Sequence, residues 1–223
     1  MSRLARPCMA LVAAFVCLSG PAAALEHTYQ SWASGTQQLA VAPRLELWLD
    51  EHARRRAGSS LFILRPGLGY RILEHLTLHA GYAWIPVLED GTNAVFHEHR
   101  IWQQLLWSTD VTDTAAMTLR PRLEQRFSDQ GAEVGHRARL FARLNVGAKG
   151  QPVLLAIWDE LFFQLNTTDW GSRSGFDQNR FFVGPGFPTE IGMRFEVGYL
   201  NVYLRGAPDQ MAHVLAVNAF FAR

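Results

Sequence analysis

The chain has 223 residues, room for one large domain or two small ones, and a net charge of +1, which gives no bulk electrostatic pull toward nucleic acid. Its two cysteines, Cys8 and Cys17, both fall within the first 24 residues. The remainder can therefore form no disulfide and no cysteine-ligated zinc site.

Residues 1–24 (MSRLARPCMALVAAFVCLSGPAAA) place Arg3 and Arg6 before an apolar stretch that ends in small residues. This pattern predicts a secretory signal peptide cut after Ala24, with export as its consequence. A retained anchor helix is the weaker reading, because the apolar run falls short of the roughly 20 residues a span needs. Residues 25–43, with HTYQSWASGTQQLAV at 27–41, read as an N-terminal lead-in, part of a plug or an extra strand.

From 44 to 223 the helix signals are poor and period-two alternation repeats. Strands are predicted at 44–52, 60–72, 75–86, 95–108, 115–128, 134–147, 152–166, 176–187, 190–201 and 211–222. Most exceed the roughly 5–6 residues of a soluble strand and suit the roughly 9–11 of a tilted bilayer-crossing one. Longer connections are expected near 53–59, 87–94, 129–133, 167–175 and 202–210, alternating with shorter ones near 73–74, 109–114, 148–151 and 188–189. The expectation is an all-β, antiparallel up-and-down transmembrane β-barrel of about ten strands, with twelve as the alternative count, formed by residues 44–223 and located in the cell outer membrane.

The faces carry the same message. Ile191, Met193, Phe195, Val197 and Tyr199 oppose Glu190, Gly192, Arg194, Glu196 and Gly198. Ala138, Leu140, Ala142, Leu144 and Val146 oppose Arg137, Arg139, Arg143 and Asn145. In RPRLEQRF (120–127), Arg120, Arg122, Glu124 and Arg126 share one side. Tyr82, Trp84, Trp107, Phe127 and Tyr199 fall near strand ends, where interface girdles belong.

An antiparallel meander gives each connection an approximate register. It predicts a lateral line of alternating sign, Arg100, Glu124, Arg139, Glu160, Arg180 and Glu196, with Glu98 opposite Arg126. The charged face is then a lumen largely filled by an Arg/Glu network. A solvated face of a soluble sheet has no reason to order its signs across strands. Asp159 and Glu160 fall on opposite faces, so one is expected to face lipid unless a bulge turns both inward.

RPGLGY (65–70), EHRIWQQ (98–104), RPRLEQR (120–126), RARLFARL (137–144), DE (159–160), FDQNR (176–180) and EVGYL (196–200) occur in an order that resembles domain-of-unknown-function family 2490. The resemblance spans most of the chain beyond residue 24. It implies a Gram-negative outer-membrane barrel and no particular activity. Membrane barrels usually finish on an aromatic residue read by the insertion machinery; this chain finishes FFAR.

Catalytic chemistry has no local signature. A membrane lipid hydrolase needs a serine beside a histidine, and no His-x-Ser occurs. His97 and His99 share a face, but no third metal ligand can be named, so no metal site, catalytic residue or cofactor is assigned. The expected function is structural or a narrow, porin-like solute conduit. The expected partners are outer-membrane lipids, lipopolysaccharide and the insertion machinery. The alternatives are a lipid-modifying hydrolase and a soluble periplasmic barrel holding an apolar ligand among Ile191, Phe195 and Val197. ARRRA (53–57) reads as a basic loop, either solvated or facing lipopolysaccharide phosphates.

Overall fold

A computed structural model describes residues 25–92, 94–148 and 150–223. The expected signal peptide lies outside the described residues. Among the described residues there are no helices. The chain forms β1 (Glu26–Ala42), β2 (Leu45–Arg56), β3 (Ser59–Leu73), β4 (Leu76–Glu89), β5 (Val95–Thr112), β6 (Ala115–Ser128), β7 (Gly135–Val146), β8 (Leu154–Gln164), β9 (Gly175–Pro188), β10 (Met193–Leu204) and β11 (Gln210–Ala222).

Each strand pairs with its neighbour in sequence, and β1 pairs with β11 to close a barrel. Closure removes the unpaired edges that an open sheet would expose. All sequential pairs are antiparallel, whereas the closing pair is parallel, with Glu26 beside Gln210 and Gln38 beside Ala222. That geometry follows from an odd strand count. The beginning of β1 and the end of β11 accordingly lie on opposite rims.

Eleven strands replace the expected ten because 27–41 is the body of β1. The middle of its outward face, Ser31, Ala33, Gly35 and Gln37, is small or polar, so the apolar alternation that marks the other strands is confined to Tyr29, Leu39 and Val41 near its ends. The basic ARRRA segment is likewise strand: β2 runs to Arg56 and turns tightly at Gly58, which adopts a φ of 78°. Arg54 therefore points inward and is buried, and Arg55 points outward to Asp90 at 2.6 Å.

Outward side chains are largely apolar and exposed, among them Leu64, Leu78, Ile101, Leu123, Leu140, Phe195 and Val197. Inward ones alternate with them and are buried. Two outward polar groups find partners on the same face. Asp159 accepts from Asn179 Nδ2 at 2.9 Å through each oxygen, and Glu51 accepts from Gln37 at 3.0 Å. No bulge turns Asp159 inward beside Glu160; the β8–β9 irregularity comes later, at Phe162/Phe163.

The inner wall also carries two apolar clusters. One gathers Trp48, Leu61, Ile63, Ala83, Ile85 and Trp102; the other gathers Trp32, Phe182, Leu200, Val202 and Val214 with small alanines. Glycines make room for the largest rings. Gly67 and Gly81 face each other across β3–β4, and a Cβ on Gly81 would lie 2.6 Å from Trp102 Cζ2 and run into the Pro66 carbonyl oxygen. Gly184 and Gly198 do the same for Phe182.

Gly81→Ala should lower stability by about 1–3 kcal/mol in urea unfolding, because the wall cannot yield to the added methyl. An unchanged unfolding midpoint would show slack at this point.

Candidate functional site

The candidate site is the lumen, and its chemistry begins with β6. Period-two alternation sends Arg120, Arg122, Glu124 and Arg126 inward together. Glu124 is almost wholly buried, with 1% exposure. It accepts from Arg137 Nη2 at 2.5 Å, Arg139 Nη1 at 2.6 Å and Arg100 Nη1 at 3.5 Å, and Arg122 Nη1 lies 3.8 Å away. Glu160 on β8 accepts from Arg139 at 2.7 Å and Arg120 at 3.4 Å, with Arg180 at 3.9 Å. Arg139 thus bridges the two carboxylates.

The structure brings together most of the charges singled out in sequence, by contacts that differ from the expected facing pairs. Arg100 lies opposite Arg126, and Trp102 lies opposite Glu124. Relative to the expectation, β6 has moved by two residues, which preserves its faces. A register shift at Asp110/Thr112, beside the β5–β6 turn, accompanies the move. Glu98 consequently holds both Arg100 (2.7 Å) and Arg126 (2.6 Å) from one side. Arg139 reaches Glu160 diagonally, since its facing residue is Phe162. Glu160 and Arg180 do face each other.

The last expected link, Arg180 to Glu196, does not form. Arg180 faces Val202, and Glu196 faces Gly186. The cause is the β9–β10 connection, a four-residue loop at 189–192 in place of a tight turn at 188–189. Thr189 closes it by accepting from Met193 N at 3.1 Å, and Gly192 takes a φ of 81°. Glu196 is held instead by Arg143 and by Arg194 at 2.9 Å.

Sequence reasoning missed a second charge centre. Asp50 and Arg65 face each other across β2–β3 and form a buried ion pair, with His52 Nε2 2.7 Å from the same carboxylate. Alternation within LELWLDEHARRR carries the signal for Asp50, His52 and Arg54. Asp50, His52 and Arg65 fall within the expected strands 44–52 and 60–72, but the predicted charge line begins only at Arg100; assigning ARRRA to a loop concealed Arg54 and Arg56.

Guanidinium planes and aromatic rings pack together in the lumen. Arg139 and Arg180 lie over Phe162 at 4.6 and 4.3 Å, Arg54 lies over Trp32 at 4.0 Å, and Arg122 lies over Trp102 at 4.9 Å. Such contacts let a delocalised cation sit against apolar surface at modest desolvation cost. Space remains on one side of the belt, where a cavity of about 390 Å³ extends toward the rim carrying the β8–β9 loop. On the other side, a cavity of about 80 Å³ lies between the charges and Trp32, Phe141 and Trp158.

The loop at 165–174 folds over the larger cavity. Ser172 accepts from Arg126 Nη1 at 3.3 Å, and Trp170 lies 4.8 Å from the Arg126 guanidinium. Asp169 pins the loop by accepting from Ala132 N at 2.9 Å and Glu133 N at 3.2 Å. Trp170 Nε1 donates to the Glu133 carbonyl at 2.7 Å. The donated backbone N–H groups hold the Asp169 carboxyl below its ordinary value of 3.8.

Histidines and aromatics pair on the outer wall near this same rim. Tyr199 bonds His213 at 2.6 Å, Trp84 Nε1 donates to His97 at 3.2 Å, and Tyr82 bonds His99. His97 and His99 are thus occupied by ring partners. Among the described residues no cluster of three potential metal-ligating side chains occurs, and no serine hydroxyl bonds a histidine ring. Of the residues a soluble carrier would turn inward, Phe195 and Val197 are exposed on the outer wall, and Ile191 is exposed in the 189–192 loop.

Residues 29–212 match the protein family described as "Protein of unknown function (DUF2490)". The chain is also 35% identical over 164 residues to an uncharacterised protein of Methylorubrum extorquens, covering 71% of each chain.

Two expectations follow. Glu124→Ala should cost about 3–5 kcal/mol in chemical unfolding, because several buried guanidinium groups lose their shared counter-charge. A loss below about 1 kcal/mol would contradict the network. The Asp169 contacts should persist from neutral pH down to the ordinary carboxyl value, then fail as pH drops through the lower folded-state value. Trp170 fluorescence should follow that course, and Asp169→Asn should shift it; an acid response identical in both proteins would contradict the assignment.

Proposed function

We propose, starting from the fact that this chain belongs to the DUF2490 family, that it is an outer-membrane β-barrel serving as a structural element or a narrow solute conduit. One observation carries the reading: the side-chain distribution of a soluble protein is turned inside out. Leucine, phenylalanine and valine side chains cover the outer wall, while Glu124, Glu160, Arg122 and Arg139 are buried inside. In water, that outer surface would be an apolar band far larger than a soluble monomer usually exposes. In a bilayer it is the matching surface, and a closed barrel leaves no backbone edge unpaired in hydrocarbon.

The length of the strands supports the same reading. They run from 11 residues in β8 to 18 in β5, enough for a tilted strand to cross the hydrocarbon layer. The pairs Tyr82–His99, Trp84–His97 and Tyr199–His213 present rings with polar tips, which suits the headgroup boundary. Asp159 and Glu51 fit such a wall because each shares its charge with a neighbouring amide. The lipid partners are the acyl chains along the wall and the lipopolysaccharide around one rim, and assembly would use the barrel-insertion machinery.

The interior limits what could pass. Bridged guanidinium groups and inward rings occupy the middle of the lumen, so any route is narrow and is not the open passage of a general porin. Ions or small solutes would have to thread between Arg139, Glu160 and Arg180.

Density-gradient fractionation should recover the protein with outer membranes, and recovery in the soluble periplasmic fraction would overturn the proposal. In planar bilayers a small steady current would identify the conduit form, and a silent folded barrel would identify the scaffold. For a conducting barrel, Glu124→Ala should change the current. An unchanged current would place the route away from the belt.

A further inference from the structure

The carboxylates of the lumen do not match its arginines in number, and the excess is concentrated in one place. Eight arginines line the cavity of about 390 Å³, against the carboxylates Glu98 and Asp177. The surrounding network accounts for most of them. Glu98 takes Arg100 and Arg126, Glu124 takes Arg137 and Arg139, and Asp50 takes Arg65. Arg180 has Glu160 only at 3.9 Å, and its Nη2 donates to Gln178 at 3.2 Å.

Arg54 and Arg56 have no carboxylate partner among the described residues. Arg54 is 6% exposed, lines the cavity and has an unpaired Nε. It contacts the Trp32 ring and His52 Nδ1, the latter at 3.5 Å. Arg56, one turn of alternation further along β2, lines the same cavity nearer the rim. A buried guanidinium without a counter-charge, as at Arg54, is costly, and a half-buried Arg56 beside it adds a second unmatched charge to the same wall.

We infer that this half of the lumen binds a small phosphate-type dianion, held by Arg54 and Arg56 with Arg180 beside them, beneath the 165–174 loop. Two unmatched positive charges call for a doubly charged partner. A phosphate group also accepts hydrogen bonds from several directions, which suits guanidinium groups converging from β2 and β9. The cavity lies in the range of small-molecule sites, large enough for a phosphorylated small solute. The solute is free and not a lipid headgroup: the sheet is closed all round, so the site opens only at the rim and acyl chains would have no path to the outer wall. Ser172 and Trp170, held by Arg126, form part of its roof. The inference concerns the interior alone and does not depend on the barrel lying in a membrane.

The test is the binding of inorganic phosphate to the purified protein in non-ionic micelles at slightly alkaline pH, read by calorimetry and by the shift in thermal unfolding. Chloride at matched ionic strength is the control. Phosphate should bind and raise the unfolding temperature where chloride does not. The double variant Arg54→Gln/Arg56→Gln should weaken binding at least about tenfold, the loss of one charge-assisted bond. Arg55→Gln, on the outer wall beside the same residues, should bind as the wild type does. Arg54→Lys/Arg56→Lys should retain part of the affinity by keeping the charge. Equal effects of phosphate and chloride, or undiminished binding in the double glutamine variant, would overturn the inference. Should that variant fail to fold, Arg56→Gln alone decides, and wild-type affinity there would equally overturn it.

Discussion

Everything in this fold depends on one constraint: a closed sheet with period-two side chains has an inside and an outside, and each strand must commit one face to each. A residue cannot be moved to the other face without slipping its strand by one position and turning the whole strand over. Once β6 places Arg120, Arg122, Glu124 and Arg126 inward, neighbouring strands must supply counter-charges at the same height. Arg137 and Arg139 on β7, Glu160 on β8 and Glu98 on β5 do so.

The interior is better regarded as a core than as a channel wall. Its carboxylates are shared among several guanidinium groups, the guanidinium planes lie on aromatic rings, and one of those rings, Trp102 beneath Arg122, rests against the Gly67–Gly81 pair. These contacts depend on one another. Glu124 fixes Arg139, Arg139 packs on Phe162 and binds Glu160, and Glu160 is the nearest carboxylate to Arg180. A core of this kind specifies which face points inward, because a one-residue slip would turn charges and rings together to the outer wall. It also leaves arginine in excess, a feature that a purely structural filling would not require.

Fold class was legible because alternation survives in ten of the strands without any need for tertiary information. Strand β1 was legible only as one of three readings of 25–43, because the middle of its outward face offers Ser31, Ala33, Gly35 and Gln37 in place of apolar residues. Whether its backbone bonds could be satisfied only by β2 and β11 is a property of closure, which a linear reading does not contain. The charge line was legible where turns are tight, and a two-residue error still leaves long side chains within reach. It failed between Arg180 and Glu196, where the Thr189–Gly192 loop moves the partner six residues along β10. The unmatched Arg54 and Arg56 were hidden for a different reason: three adjacent arginines look like a loop, although alternation sends only the outer two inward. Asp50 and Arg65 lay in expected strands, but the predicted charge line began only at Arg100 on β5.

The most direct measurement of the central claim uses single cysteines, since the chain beyond residue 24 has none of its own. Spin labels at Leu140→Cys and Phe195→Cys, in protein reconstituted into bilayers, report which medium touches the outer wall. Relaxation by lipid-soluble oxygen with protection from a water-soluble nickel complex is the result expected for a wall immersed in hydrocarbon. The opposite pattern at both positions, with the nickel complex dominant, would contradict it.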